Sequence, residues 1–259
     1  MYILKKKYEK IFSFYNRGNK MEIEFVKGVG SGNDFVIIEK RYFSPELPVN
    51  ILNRIYGVGG DGLIVYEGKK MWFYNPDGTN AKMCGNGVRV LFKYLYEKGI
   101  LKEKDEIITE SGSVKCSVSD EGVSTEFNFC KIENENPTVV RCGVPHLLIE
   151  KKDIDNINVK VEGYRMSNFL KERNNVDFFS LKGKDVFIRT YERGVEGETL
   201  SCGSGIASCA FYLNKKHNLN NFNFIARGGK FKVYIKDNNV IISGETMITM
   251  KGVYLWKNS

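Results

Sequence analysis

One pattern occurs twice in this chain. Cys84-Gly85-Asn86-Gly87-Val88 lies 118 positions before Cys202-Gly203-Ser204-Gly205-Ile206, and ten residues past each cysteine stand Tyr94-Leu95 and Tyr212-Leu213. Further along, SGSVKCSVSDEGV runs beside GGKFKVYIKDNNV, so that Val114, Lys115, Val118, Asp120 and Val123 meet Phe231, Lys232, Ile235, Asp237 and Val240 at a spacing of 117. Two sparse matches at nearly one spacing predict two halves of similar build. A length of 259 residues suits this, being one large domain or two ordinary ones.

Each copy has the same local grammar. Before the cysteine comes a run suited to a strand, Met71 to Tyr74 in the first copy and Val186 to Tyr191 in the second. After it comes a Gly-polar-Gly turn and then a helical stretch. Val88, Leu91, Phe92 and Leu95 fall at i, i+3, i+4 and i+7, with Val90 and Tyr94 widening the stripe, so this helix is expected at the centre of its half. The second, from Ile206 to Leu213, is also poor in charge. Each cysteine therefore stands at a helix N-terminus, where N–H groups lack internal partners and the aligned dipoles favour an anion. That setting stabilises a thiolate, and flanking glycines let the backbone approach an anionic ligand. Alone, either site reads as a Gly-rich turn beside a buried cysteine; two copies in matching places ask for more.

Composition narrows the classes. The chain is 42% hydrophobic, which excludes disorder, and has no run of about 18 apolar residues for a membrane span. Its first 20 residues lack the apolar core of a secretory signal, so the expected location is cytoplasmic. The net charge of +8 is scattered, with Lys5-Lys6-Lys7 the one tight cluster and no nucleic-acid-binding motif, so neither nucleic acid nor membrane is an expected partner. Six cysteines at 84, 116, 130, 142, 202 and 209 form no CxxC pair, and only His146 and His217 accompany them, so no metal is expected. In a reducing compartment all six should be thiols.

Two thiols facing each other across a small ligand offer a base on one side and an acid on the other. That is what inversion of a carbon centre by proton exchange requires. Helix-end N–H groups aimed at the adjoining carboxylate would stabilise the developing carbanion. No nicotinamide fingerprint or P-loop lysine is present, so a cofactor-free route is expected.

At these residues the chain resembles the diaminopimelate epimerases, cofactor-independent enzymes of lysine and peptidoglycan synthesis. The segments that carry the resemblance are GVGSGNDFVIIE, GVGGDGLIVYE, FYNPDGTNAKMCGNGVR, GVPHLLIE and RTYERGVEGETLSCGSGIASCA, and it spans Met21 to about Gly252. The resemblance implies Cys84 and Cys202 as the acid/base pair and a diamino dicarboxylate as substrate. It implies Asn33, Asn75, Asn175, Glu192 and Arg193 as side chains that bind the substrate's polar ends. Gly85-Asn86 and Gly203-Ser204 would form the N–H cradle, with His146 and Glu192 tuning the thiols; a homodimer is also implied. Each has a plainer structural reading: asparagines in GND and NPDG turns are commonly conformational, Glu192–Arg193 an ordinary surface pair, His146 a satisfied core histidine. Two positions depart from the family pattern. Val144 stands where many members have asparagine, and Gly62 where some have glutamine. A racemase of another amino acid on the same scaffold is therefore the rival; an anion-binding protein without chemistry and a redox protein using Cys84–Cys202 are more distant ones.

The expected fold is α+β: two pseudo-symmetric half-barrels, each a β-sheet wrapped around a central helix, with the active site in the cleft between them. Residues 1–20 are read as an N-terminal extension, because the resemblance begins at the internal Met21. Residues 21–130 with 243–259 form the N-terminal half and 131–242 the C-terminal half, as the resemblance returns the last strand to the first half. KIENENPT, from Lys131 to Thr138, reads as a linker, and a short helix is expected around Gly163 to Arg173.

Overall fold

The computed structural model describes residues 20–169 and 172–257; the expected extension, apart from Lys20, lies outside them. The first half runs β1 (Lys20–Gly30), β2 (Asn33–Glu39), α1 (Leu47–Ile51), β3 (Gly62–Glu67), β4 (Lys70–Tyr74), β5 (Asn80–Ala81), α2 (Gly85–Glu97), β6 (Lys104–Thr109), β7 (Gly112–Ser119) and β8 (Gly122–Phe127). The second runs β9 (Lys131–Glu135), β10 (Thr138–Cys142), β11 (Val144–Glu150), α3 (Val159–Ser167), β12 (Asn175–Lys182), β13 (Asp185–Glu192), β14 (Gly197–Thr199), α4 (Gly203–His217), β15 (Asn221–Ala226), β16 (Gly229–Lys236) and β17 (Asn239–Gly244), and β18 (Thr246–Lys257) follows.

Strand pairing repeats between the halves. In the first the order is β18-β1-β2-β3-β4-β6-β7-β8, with β5 on β4. In the second it is β9-β10-β11-β12-β13-β15-β16-β17, with β14 on β13. The parallel pairs are equivalent: β2–β3 matches β11–β12, and Lys70↔Ile108 of β4–β6 matches Phe187↔Ile225 of β13–β15. The sheets join through β8 and β17, where Thr125 pairs with Ile242, its own counterpart at the 117 spacing. A pseudo-twofold axis therefore passes through that pair. Each half also takes its edge strand from the chain just after the other half's last strand, β9 after β8 and β18 after β17.

The central helices form because their sequences are apolar on nearly every face. Val88, Val90, Leu91, Phe92 and Leu95 of α2 are fully buried against β2, β3, β4 and β6–β8. Ile206, Ala207, Cys209, Ala210 and Leu213 of α4 are equally buried in the second half. On the outer face of β2 and β3, Val36, Ile38, Leu63 and Val65 pack against Leu47 and Ile51 of α1. Both faces of these strands are covered, so they read as continuous apolar runs rather than alternation.

Three expectations are corrected. The segment read as a linker is the β9–β10 hairpin; β9 is an exposed edge strand whose outward residues are polar, which made it look like a loop. The helix expected around Gly163 to Arg173 begins earlier, at Val159, capped by the Asn158 side chain on the Val161 N–H, and ends at Ser167. Cys130 and Cys142 are a disulfide rather than two thiols, because the hairpin folds back to bring their Cα atoms to 4.4 Å. Cys84, Cys116, Cys202 and Cys209 are free.

Candidate active site

Cys84 and Cys202 are the N-caps of α2 and α4, with the same backbone, φ −133° and ψ 112° against φ −129° and ψ 112°. Each gives its carbonyl to the first helical bond, from Val88 N–H at 2.8 Å and Ile206 N–H at 3.0 Å. Neither cysteine side chain makes a cap hydrogen bond, and the first-turn N–H groups, which have no partner within the helix, lie at the helix end beside each sulfur. The two ends are close. An added Cβ on Gly85 or on Gly203 would lie 3.7 and 3.6 Å from one and the same atom, Cζ of Phe127, and near no other. One small molecule can therefore touch both ends.

What lies beneath the two thiols differs. Matching registers make Phe35, Gly62 and Phe73 the counterparts of His146, Asn175 and Thr190. Under Cys202, Nδ1 of the fully buried His146 is 2.6 Å from Oδ2 of the buried Asp177, while Nε2 is 2.9 Å from Ser204 Oγ, which is 3.3 Å from Cys202 Sγ. Thr190 Oγ1 donates to the other Asp177 oxygen at 2.6 Å, fixing the carboxylate. Burial opposes the imidazolium, but the Asp177 carboxylate outweighs it, and the His146 pKa is pushed up to about 10. A positive charge thus stands behind Cys202, relayed by one hydroxyl. Under Cys84 the corresponding layer is aromatic, Phe35 edge-on to Phe73 at 5.9 Å between ring centroids. Burial pushes the Cys84 thiol up to about 11, with Glu192 adding to the rise and the N–H groups of Gly87 and Asn86 and the Arg89 charge resisting it. Cys84 is half-buried, so solvent relieves part of the penalty.

A second network fixes the N-terminal side. Arg89, fully buried, donates to Asn86 Oδ1 at 2.7 Å and to Ser31 Oγ at 3.0 Å, and sits over the Phe231 ring. Its Nε and Nη1 have no hydrogen-bond partner among the described residues. Burial pulls its pKa down to about 10, still above neutrality. Because the guanidinium only donates, Asn86 must turn its amide nitrogen the other way, to Asn33 Oδ1 at 2.8 Å and Ser201 Oγ at 3.0 Å. Ser201 in turn donates to Ser31 O at 2.7 Å, tying the halves together.

The structure gathers most of the expected residues, though not all toward the cleft. Asn175 accepts from Arg193 N–H at 3.1 Å and lies 3.4 Å from His146 Nε2. Asn33 also donates to Asp61 at 3.0 Å. The Asn75 amide closes its own turn on Thr79 Oγ1 at 3.0 Å. The Asn86 side chain is spent on the network, leaving its N–H for the cradle. Glu192 is half-buried, and burial raises its carboxyl. Arg193 is exposed, donates to Arg173 O and makes no ion pair among the described residues. Val144 and Gly62 are the counterparts of Asn33 and Asn175, and the room a side chain at 62 would need is filled by the Phe73 ring, 2.3 Å from an added Cβ. Sequence reasoning missed Asp177, Thr190, Ser201 and Phe127, and gave Arg89 no role. The signal for Asp177 and Arg89 was a charge inside an apolar run. Among the described residues no group of His, Cys, Asp or Glu is arranged to hold a metal ion.

The two pseudo-symmetric halves, each built on a central helix, form a fold shared with solved structures. A PhzF-family phenazine biosynthesis protein of Enterococcus faecalis superposes with a TM-score of 0.69 at 16% identity, covering 90% of this chain and 99% of that one. A hydroxyproline epimerase of Agrobacterium vitis gives 0.66 at 12%, covering 93% and 94%. In sequence, the diaminopimelate epimerase of Aquifex aeolicus is 34% identical over 245 residues, 80% of this chain and 88% of that one, and that of Flavobacterium psychrophilum 33% over 249 residues, 89% and 96%. The family profile for diaminopimelate epimerase matches residues 25–131 and 138–252. The chain belongs to the diaminopimelate epimerase family, and it is an isomerase of that type.

Proposed function

We propose that this enzyme interconverts LL- and meso-diaminopimelate in lysine biosynthesis, without a cofactor, by proton transfer between Cys84 and Cys202. The observation that carries the reading is the convergence of two identical cysteine-capped helix ends on one small space. The substrate carboxylate binds the two sets of N–H groups, and its α-carbon lies between the sulfurs. One sulfur removes the α-proton while the other delivers a proton to the opposite face. The N–H groups hold the charge that develops on the carboxylate oxygens. His146, carrying positive charge toward Cys202 through Ser204, and the aromatic floor under Cys84 give the two sulfurs unlike surroundings, and burial favours the protonated Cys84 thiol. Asn33, Asn75, Asn175, Glu192 and Arg193 surround the substrate's polar ends, Arg193 taking a carboxylate.

A second reading, racemisation of a different amino acid, is favoured by two positions. Val144 offers no side-chain hydrogen bond where its counterpart Asn33 does, and Phe73 closes the position opposite Asn175. Both readings meet one experiment, α-proton exchange in heavy water under reducing conditions with the diaminopimelate isomers and a panel of other amino acids. Exchange with diaminopimelate alone is the expected result. Exchange confined to another amino acid moves the substrate and keeps the mechanism, whereas full activity in Cys84→Ala or Cys202→Ala ends the mechanism.

A further inference from the structure

Phe127 ends β8 and is 8% exposed. Its Cζ stands almost equally far from the Cβ positions of Gly85 and Gly203, 3.7 and 3.6 Å, and so lies close to the pseudo-twofold axis. The pairing of β8 with β17 sharpens this. Val240↔Phe127 and Gly244↔Val123 are related by the axis, which makes Gly244 the counterpart of Phe127. An atom near a twofold axis nearly coincides with its own symmetry copy, so two rings cannot both reach that place. One position carries phenylalanine and the other carries glycine, whose missing Cβ would lie 3.0 Å from Phe231 Cδ1 and from Ser31 Oγ.

Two sulfurs related by the axis can act on opposite faces of one carbon only if that carbon also lies near the axis. We propose that Phe127 is a positioning residue, a stop on the axis that sets how far a carboxylate sinks between the helix ends and hence whether the reacting carbon lies level with both sulfurs. The edge of the ring meets the carboxylate, and the rim of an aromatic ring carries its positive potential. The apolar tip also keeps water from the first-turn N–H groups. This proposal rests on the proton-exchange reading above.

Variants at 127 test it with two probes. Phe127→Tyr places a hydroxyl on the axis, in the carboxylate's space. Phe127→Leu leaves the cradle intact and shortens the stop, and Phe127→Met restores the reach without the ring. Iodoacetate and iodoacetamide differ only in the carboxylate next to the carbon that sulfur attacks with loss of iodide. The wild type should be alkylated at Cys84 and Cys202 faster by iodoacetate, by about tenfold, and Phe127→Tyr should lose that preference. Phe127→Leu should keep it, yet its kcat for α-proton exchange should fall about 100-fold, as expected for a reacting atom displaced by about 1 Å, at nearly unchanged KM; Phe127→Met should regain most of the rate. A wild type without the iodoacetate preference, a Tyr variant that retains it, or a Leu variant with wild-type kcat overturns the proposal. A wild type that prefers iodoacetate but exchanges no amino acid sinks the functional reading alone, since the alkylation arm still decides the stop.

Discussion

Gly85 and Gly203 are not glycine for packing reasons. Neither has a positive φ, and an added methyl would meet only Phe127 at ordinary contact. Gly203→Ala should therefore fold as well as the wild type or better, by up to about 1 kcal/mol of helix propensity, while kcat/KM falls about tenfold or more because the methyl stands in the ligand's space. A thermal melt beside a rate assay separates the two effects. Asp177 gives a second residue-level expectation. His146 is raised above its unfolded value of 6.5 to about 10. The stability its imidazolium contributes is thus complete below pH 6.5 and lost as pH rises toward about 10. Melting temperature against pH should fall across that window in the wild type, and Asp177→Asn should flatten the slope and lower stability by about 3–5 kcal/mol, the cost of breaking a buried pair. An unchanged slope in the variant would place the charge elsewhere. The two cysteines could be read from sequence because their motif recurs. Asp177 could not be assigned, because its role exists only once β11 and β12 lie parallel with His146 opposite Asn175.

Among the elements, the β9–β10 hairpin is where sequence reading failed most plainly. Edge strands with one solvated face carry polar residues that resemble a loop, and nothing in KIENENPT marks its pairing partner. The disulfide followed from that error: Cys130 and Cys142 are remote until the hairpin folds. Closing a loop of this size stabilises by about 3 kcal/mol. Chemical denaturation without reductant should show Cys130→Ser losing about that much, and with reductant the difference should vanish; equal stability under oxidising conditions would show that the bond does not form in solution. The central helices were legible for the opposite reason. They are apolar nearly all round, and a helix with no polar face has one place to go.

At the scale of the whole molecule, the pseudo-twofold arrangement was foreshadowed by the 118 spacing, but the axis pair Thr125–Ile242 needed strand register to find. The division into residues 21–130 with 243–259 and 131–242 is proposed as the two units of the fold. β18 carries Met247 and Met250 on one face and Val253 and Leu255 on the other, each about half exposed, and it has no second strand neighbour among the described residues. Long apolar edges of this kind recruit another chain, and a second copy related by a twofold is the occupant proposed here. Sedimentation should find a dimer, and Val253→Lys with Leu255→Lys should yield a monomer; a monomeric wild type would remove the proposal.

The exchanged edge strands govern how the enzyme comes into being on the ribosome. Among the described strands β1 is made first, yet its long antiparallel partner β18 is made last. Throughout synthesis the nascent first half holds an open edge. Its second β-neighbour arrives only when the other half, with Cys202 and His146, is already made. A chain released before β18 would therefore carry both cysteines and His146 yet leave the edge of β1 open and prone to associate. For quality control in the cell, the exposed edge would mark a chain in which β18 was never made.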